Sequence, residues 1–279
     1  MSAVRAAFGV GMDGNEVGWN VHEHHTLVVG ATGSGETMTT YNLVGSLAGN
    51  PQVQVVGVDP SSLTLAPFVH AGYRHRFALG TADMTVAADV LDSAVALMDA
   101  RIGQLLDLGI DKWQIGPGSP TVVVVMEEFA GTLAAAEAQD AKAERGAPKV
   151  RPRIVAAVGR LLRESRKAGS TLLTIIQRPD AAVMGGADRG QYSRRIALRL
   201  DNADGVRMIF EGVDPATVLR LTSAPPGVGL ISEPGETPRW FRGYLLDYPV
   251  YSRYVQTHYT ARPVPGLDPT SSVGGDSDE

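Results

Sequence analysis

The chain contains no cysteine, so disulfide bonds, thiolate metal sites and cysteine nucleophiles are excluded. Aromatic residues are scarce at 6%, and no apolar run approaches the ~18 residues that cross a bilayer. No secretory leader is legible at the N-terminus, and the expectation is a soluble, cytoplasmic protein. Positive charge is not in excess either: 25 Lys and Arg stand against 30 Asp and Glu, a net charge of −5. That excludes a globally basic surface for nucleic acid, but not a locally basic pore. No internal repeat is visible. What remains is 279 residues, 44% of them hydrophobic, enough for one large α/β domain or a domain with small additions.

Within this frame one stretch stands out. Gly30-Ala31-Thr32-Gly33-Ser34-Gly35-Glu36-Thr37 follows the apolar run Thr26–Val29 and has the layout of a phosphate-binding loop, G-x-x-x-x-G-K-[ST], between a strand and a helix. Its glycines let backbone N–H groups curl toward phosphate oxygens, and the following helix adds the positive end of its dipole. Thr37 supplies a hydroxyl for Mg²⁺. Position 36 breaks the pattern: the lysine that would reach the β- and γ-phosphates is Glu36. Reversing that charge inverts a term of roughly 4 kcal/mol per pair at ~4 Å and an effective dielectric of ~20. The stretch therefore reads as a phosphate loop that has lost its lysine, by nature or by substitution. A ligand-free Gly/Ser/Thr-rich turn is the alternative that the flanking strand and helix disfavour.

Around the loop the pattern alternates strands and helices. Val4–Val10 and Val17–Val21 flank Asp13-Gly14-Asn15, a hairpin signature. His22, His24 and His25 precede the first core strand, but adjacent His24 and His25 would point to opposite faces, which disfavours a shared metal. The helix after the loop runs through Leu43 and Leu47 to Gly49-Asn50-Pro51. Val53–Val58 and Thr121–Met126 are buried strand runs, and Met84–Leu108 carries apolar residues at helical spacing. A helix is expected over Ile154–Lys167, carrying Arg160, Arg163 and Arg166, and a strand over Leu172–Ile176. Met184–Gln191 reads as a Gly-rich loop, Ile196–Leu200 as a strand, and Trp240–Leu245 as the last strand. From about Ala261 the composition is that of a disordered acidic tail. The expected division is a hairpin extension over 1–22, the main domain over 23–260, and the tail over 261–279.

The strand Thr121–Met126 ends in Glu127-Glu128-Phe129. In nucleotide-hydrolysing α/β proteins the C-terminal edge of the sheet faces the nucleotide. There Glu127 would hold Mg²⁺ and Glu128 would polarise the attacking water; the plain alternative is the polar end of a buried strand. Gln177, at the end of its own strand, could sense the γ-phosphate or orient water.

With these motifs in order, residues 5–245 resemble the motor domain of the FtsK/SpoIIIE-type DNA translocases, within the FtsK–HerA group of RecA-like ATPases. The resemblance rests on Gly30–Thr37, Asp59-Pro60, Met98 and Arg101, and Glu127-Glu128-Phe129-Ala130. It continues through Arg166-Lys167-Ala168-Gly169, Gln177-Arg178-Pro179 and Arg195-Ile196-Ala197. Departures are Glu36 for lysine, Glu127 for the usual aspartate, and Ser61 for lysine after Asp59-Pro60. Neither membrane segments nor a winged-helix DNA reader are seen, as in a bare motor.

The resemblance implies a RecA-like P-loop NTPase fold, α/β, with a mostly parallel central sheet flanked by helices. It implies ATP and Mg²⁺ as cofactors and a homo-oligomeric ring, commonly a hexamer, around double-stranded DNA. Arg166 matches the arginine finger, with Arg163 in reserve. DNA would be gripped by Lys142, Arg145, Lys149, Arg151, Arg153 and Arg189. Two other readings stay open: a protein-translocating ATPase like the type VII secretion motors, and a non-hydrolysing structural ring relative.

Overall fold

A computed structural model describes residues 5–116, 118–179 and 185–268. The hydrophobic runs become strands buried on both faces. β1 (Arg5–Gly11) and β2 (Glu16–Asn20) form a hairpin, followed by β3 (Thr26–Val29), α1 (Glu36–Ala48), β4 (Val53–Asp59), α2 (Ala66–Val69) and β5 (Phe77–Leu79). Then come α3 (Met84–Leu108), β6 (Thr121–Met126), α4 (Phe129–Lys142), α5 (Val150–Glu164) and β7 (Ser170–Ile176). The chain continues through α6 (Gly186–Gln191), β8 (Arg194–Ala197), α7 (Ala203–Ile209), α8 (Pro215–Thr222), β9 (Val228–Ser232), β10 (Arg239–Gly243) and α9 (Tyr248–His258).

Among the described residues ten strands join one sheet in the order β2-β1-β10-β9-β8-β3-β7-β6-β4-β5. The six strands from β8 to β5 pair parallel, and β9, β10, β1 and β2 extend them as an antiparallel wing. Alternation along β6 shows why both faces must be covered. Val122, Val124 and Met126 enter one core with α3, α4 and α5, while Val123 and Val125 enter the other with α1 and α9. Among the described residues no helix is long and apolar enough to cross a membrane.

Several boundaries differ from the sequence reading. The helix expected from Ile154 begins at Val150 and ends at Glu164, because the Asp140 carboxylate accepts from the Val150 and Arg151 N–H groups and starts it a turn early. Arg166 therefore lies in the turn after α5. Most of the expected Gly-rich loop Met184–Gln191 is instead a short helix over residues 186–191, and its first residue, Met184, lies outside the described residues. The chain also stays packed past 261: Val264 is buried, and buried Arg76 pairs with Asp268. Residues 269–279 of the expected tail lie outside the described residues.

Candidate nucleotide site

The phosphate loop is folded by its glycines and by its neighbours. Gly33 and Gly35 have φ of 75° and 91°, in the region that favours glycine. A Cβ on Gly35 would lie 2.5 Å from the Gly227 nitrogen. The Ala31 N–H donates to the Arg199 carbonyl (2.9 Å) and the Gly30 N–H to the Ile176 carbonyl (3.3 Å), pinning the loop to the ends of β8 and β7. Gly35 is the N-cap of α1 and offers no side-chain cap, so the first turn keeps N–H groups available for an anion. Thr32, Gly33 and Thr37 are exposed.

Glu36 does not behave as a simple surface carboxylate. Its Oε1 is buried without a hydrogen-bond partner, and desolvation, helped by Glu128, holds its pKa up at about 8. The neutral carboxyl therefore predominates at pH 7. That revises the full negative charge the sequence places beside the loop. The sequence also gave no reason to single out Arg199, whose Nη2 lies 3.4 Å from the Thr32 carbonyl and 3.6 Å from where a Cβ on Gly33 would stand. The only earlier trace was its position two residues beyond Arg195-Ile196-Ala197. Parallel pairing of β8 with β3, which sets Val29 beside Ala197, carries it there.

The acids meet the loop at the C-terminal edge of the sheet. Glu127 is pushed up to about 8, first by desolvation and then by Asp59, Glu128 and Glu36, and its Oε2 is buried without a partner. Asp59 is fully buried and accepts from Ser61 N (2.9 Å), Ser61 Oγ (2.7 Å), Ser62 N (2.9 Å) and Leu65 N (2.9 Å). Those donors lock the turn after β4. Glu128 caps α4 in a left-handed conformation (φ 42°), which a non-glycine residue holds only where its surroundings enforce it. Burial also raises its pKa. Gln177 is exposed at the end of β7, directly beside the entry to the loop.

A glycine-rich loop that turns backbone N–H groups outward at a helix start fits a phosphate chain. Of the two residues expected to meet Mg²⁺, Thr37 is exposed at the start of α1 and Glu127 is half-buried at the end of β6. Among the described residues no set of three or more His, Asp and Glu is arranged to hold a metal alone, so the phosphates would have to complete its shell. Two of the histidines before β3 bond within the chain. His24 Nδ1 lies 2.8 Å from Ser193 Oγ, and buried His25, driven down to about 3 by desolvation, accepts from the Leu172 N–H.

Arg166 sits at the other edge. It precedes β7 while the loop follows β3, its parallel neighbour, so β7 separates them by roughly 20 Å at about 3.3 Å per residue. The turn that carries it is rigid: buried Arg101 donates to the Ala168, Gly169 and Pro120 carbonyls, and Gly169 packs against Trp113. Arg166 is exposed and, with His22, His24, Lys112 and Lys167, lines a cavity of about 370 Å³.

The six basic residues assigned to DNA do not form one patch. Lys142, Arg145 and Lys149 are exposed where α4 meets α5. Arg151 lies 3.7 Å from Glu137, and Arg153 is held by Asp89 and Asp92 on α3. Arg189, on α6, is near the start of β8 and the end of α5, whereas Arg151 and Arg153 lie in the first turn of α5.

A glycine-rich loop between a parallel strand and a helix, with acids at the end of a nearby parallel strand, defines the P-loop nucleoside triphosphatase class. The FtsK/SpoIIIE family model matches residues 2–162, more than half of the chain, and the chain belongs to that family. Among relatives, Protein Tra of Streptomyces lividans is 30% identical over 190 residues, which cover 66% of this chain and 29% of that protein. Transfer protein TraSA of Streptomyces ambofaciens is 29% identical over 244 residues (78% and 54%), and the DNA translocase FtsK of Sporosarcina ureae is 25% identical over 213 (70% and 25%). The chain thus spans between a quarter and just over half of these relatives' lengths. Two solved structures share the fold. The cytoplasmic domain of the Thermomonospora curvata type VII secretion ATPase EccC matches with a TM-score of 0.68 at 21% identity, covering 94% of this chain and 32% of that one. The pCW3 conjugation coupling protein TcpA matches with 0.68 at 16%, covering 92% and 71%.

Proposed function

We propose that this chain is the ATP-dependent motor subunit of a double-stranded DNA translocase, acting in the cytoplasm as a homo-oligomeric ring, in the simplest case a hexamer. One observation carries the reading. The phosphate loop and the acids share one edge of the sheet, while Arg166 is held on a rigid turn at the opposite edge. A nucleotide in one subunit could then meet Arg166 only from a neighbour, which makes the working site a shared one. One relative is named a transfer protein and another a DNA translocase, and DNA is the cargo we assign here.

In this reading the N–H groups of Gly30–Thr37 hold the phosphates, and Arg199 offers a cation within the same subunit. Thr37 and Glu127 would hold Mg²⁺, which with ATP supplies the charge neutralisation and the phosphoryl group. Glu128 orients the attacking water and takes its proton, and Gln177 responds to the γ-phosphate. Arg166 from the adjacent subunit stabilises the transition state, a role worth roughly 10³ to 10⁵ in rate. Lys142, Arg145 and Lys149 grip DNA phosphates, so binding should fall steeply with salt. Arg151, Arg153 and Arg189 contribute less, the first two being engaged within the chain.

Glu36 favours a second reading, a ring member that turns ATP over slowly or not at all. Imaging the purified chain and its Glu36→Lys variant with long duplex DNA, with and without ATP, tests the proposal. Rings threaded on duplex are expected. Particles that ignore duplex but engage unfolded polypeptide would instead support protein translocation, and an absence of rings under every condition would refute the shared site.

A further inference from the structure

Arg199 stands at the mouth of the phosphate loop with its charge uncommitted. We infer that it is the principal cation for a triphosphate bound to this chain, taking from the end of β8 the part that the motif's lysine would play from α1. Its role rests on the phosphate-loop reading and deepens it, by naming the residue that does in that site what position 36 does not.

The fold holds Arg199 in place through its backbone. β3 and β8 pair in parallel, and their ladder runs on past both strands. The Leu198 N–H donates to the Val29 carbonyl (2.9 Å), and the Ala31 N–H donates to the Arg199 carbonyl (2.9 Å). Arg199 is therefore in register with the second residue of the loop. Its side chain reaches over the crown of the loop, where Nη2 lies 3.4 Å from the Thr32 carbonyl and 3.6 Å from where a Cβ on Gly33 would stand.

An anion seated there would meet donors from two sides. Among the described residues, the N–H groups of Thr32, Gly33 and Gly35 donate to no protein acceptor, which leaves them to an incoming oxygen. Arg199 adds a guanidinium, whose planar fork can bind two phosphate oxygens at once. The long contact to Thr32 uses one of its N–H groups, and among the described residues it makes no ion pair. Neighbouring Arg178, by contrast, is 3.6 Å from Asp201.

Glu36 does not cancel this charge. Among the described residues it pairs with no cation; its Oε1 is buried without a partner, and desolvation, helped by Glu128, holds its pKa up at about 8. At pH 7 the loop thus has a largely neutral carboxyl at the start of α1 and a cation at the end of β8. The exchange of lysine for glutamate leaves the site a positive charge, on a different strand.

Calorimetric titration of the full chain at pH 7, with inorganic tripolyphosphate and with ATP, tests this. The chain with Glu36 should bind both. Arg199→Gln keeps an amide that can reach the Thr32 carbonyl but loses the charge, and it should weaken both ligands by about thirtyfold, within the range of a charge-assisted hydrogen bond. In a Glu36→Lys background the same substitution should cost only about threefold, because a lysine on α1 then neutralises the same oxygens. Unchanged affinity in Arg199→Gln would overturn the assignment while leaving the loop reading standing. An equal loss in both backgrounds would also overturn it, since Arg199 would then act by propping Thr32. So would binding that is present with Glu36→Lys and absent with Glu36. If neither protein binds tripolyphosphate or ATP, the phosphate-loop reading itself fails, and the role of Arg199 with it.

Discussion

Replacing Glu36 by glutamine should stabilise the protein, and more so as the pH rises. The Glu36 carboxyl has a pKa of about 8 in the fold against 4.5 for an unperturbed glutamate. Its folded-state pKa is raised, so between those values the native state keeps a proton that the unfolded chain has released. Stability that is fully present below 4.5 is lost as the pH climbs through about 8. At 1.36 kcal/mol per unit, the loss from this group is about 3 kcal/mol by pH 7 and approaches about 5 kcal/mol above pH 8. Glutamine has the same shape and cannot ionise. Urea unfolding at pH 5, 7 and 8.5 should therefore show the Glu36→Gln variant gaining on the parent at each step. Glu127, also near 8, contributes a slope to both proteins, and because Glu36 is one of the groups holding it up, the variant's gain includes a smaller share from Glu127. Parallel curves across the three pH values would show that Glu36 is ionised in the fold, and the description of its burial would be wrong.

Three further outcomes are expected. Ending the chain after residue 261 removes Asp268, the acidic partner of fully buried Arg76, and should cost about 3–5 kcal/mol in denaturant unfolding; a loss under about 1 kcal/mol would mean that residues 262–268 are dispensable. His25, depressed to about 3, keeps the fold stable above pH 6.5 and withdraws about 2 kcal/mol by pH 5, so His25→Asn should flatten the acid limb of the stability curve. Glu128→Gly should relieve the left-handed backbone and raise the melting temperature through a gain of about 1 kcal/mol, while abolishing nucleotide hydrolysis in a Glu36→Lys background. Retained turnover in that variant would remove Glu128 from the site.

What the sequence reveals is local. The β-branched run Thr121–Met126 announces a strand covered on both faces, and the glycine spacing of Gly30–Thr37 announces the loop. Positions that depend on distant partners are silent. Arg76 and Asp268 are 192 residues apart, and only the folded chain shows that the segment after 261 is packed. Arg153 reads as a free charge until α5 lies along α3 and meets Asp89 and Asp92. The state of Glu36 depends on burial and on Glu128, from a segment some ninety residues away. One element was missed despite a usable signature: Asp247 caps α9 with Pro249 in its first turn, and Tyr251 and Val255 form its buried stripe. The tyrosines and polar residues between them obscured it.

The central claim is that this chain carries a phosphate site weakened at one position and completed by a neighbour's arginine. It is tested most directly by ATPase measurement on long duplex DNA with two defective proteins and their mixture. One is the chain with Glu36; the other carries Glu36→Lys with Arg166→Ala. Glu36→Lys alone should turn over ATP orders of magnitude faster than either, and mixing the two defective proteins should recover part of that activity at interfaces that pair a repaired loop with an intact Arg166. Equal rates for the chain with Glu36 and for Glu36→Lys, or full activity in Glu36→Lys with Arg166→Ala, would contradict the account.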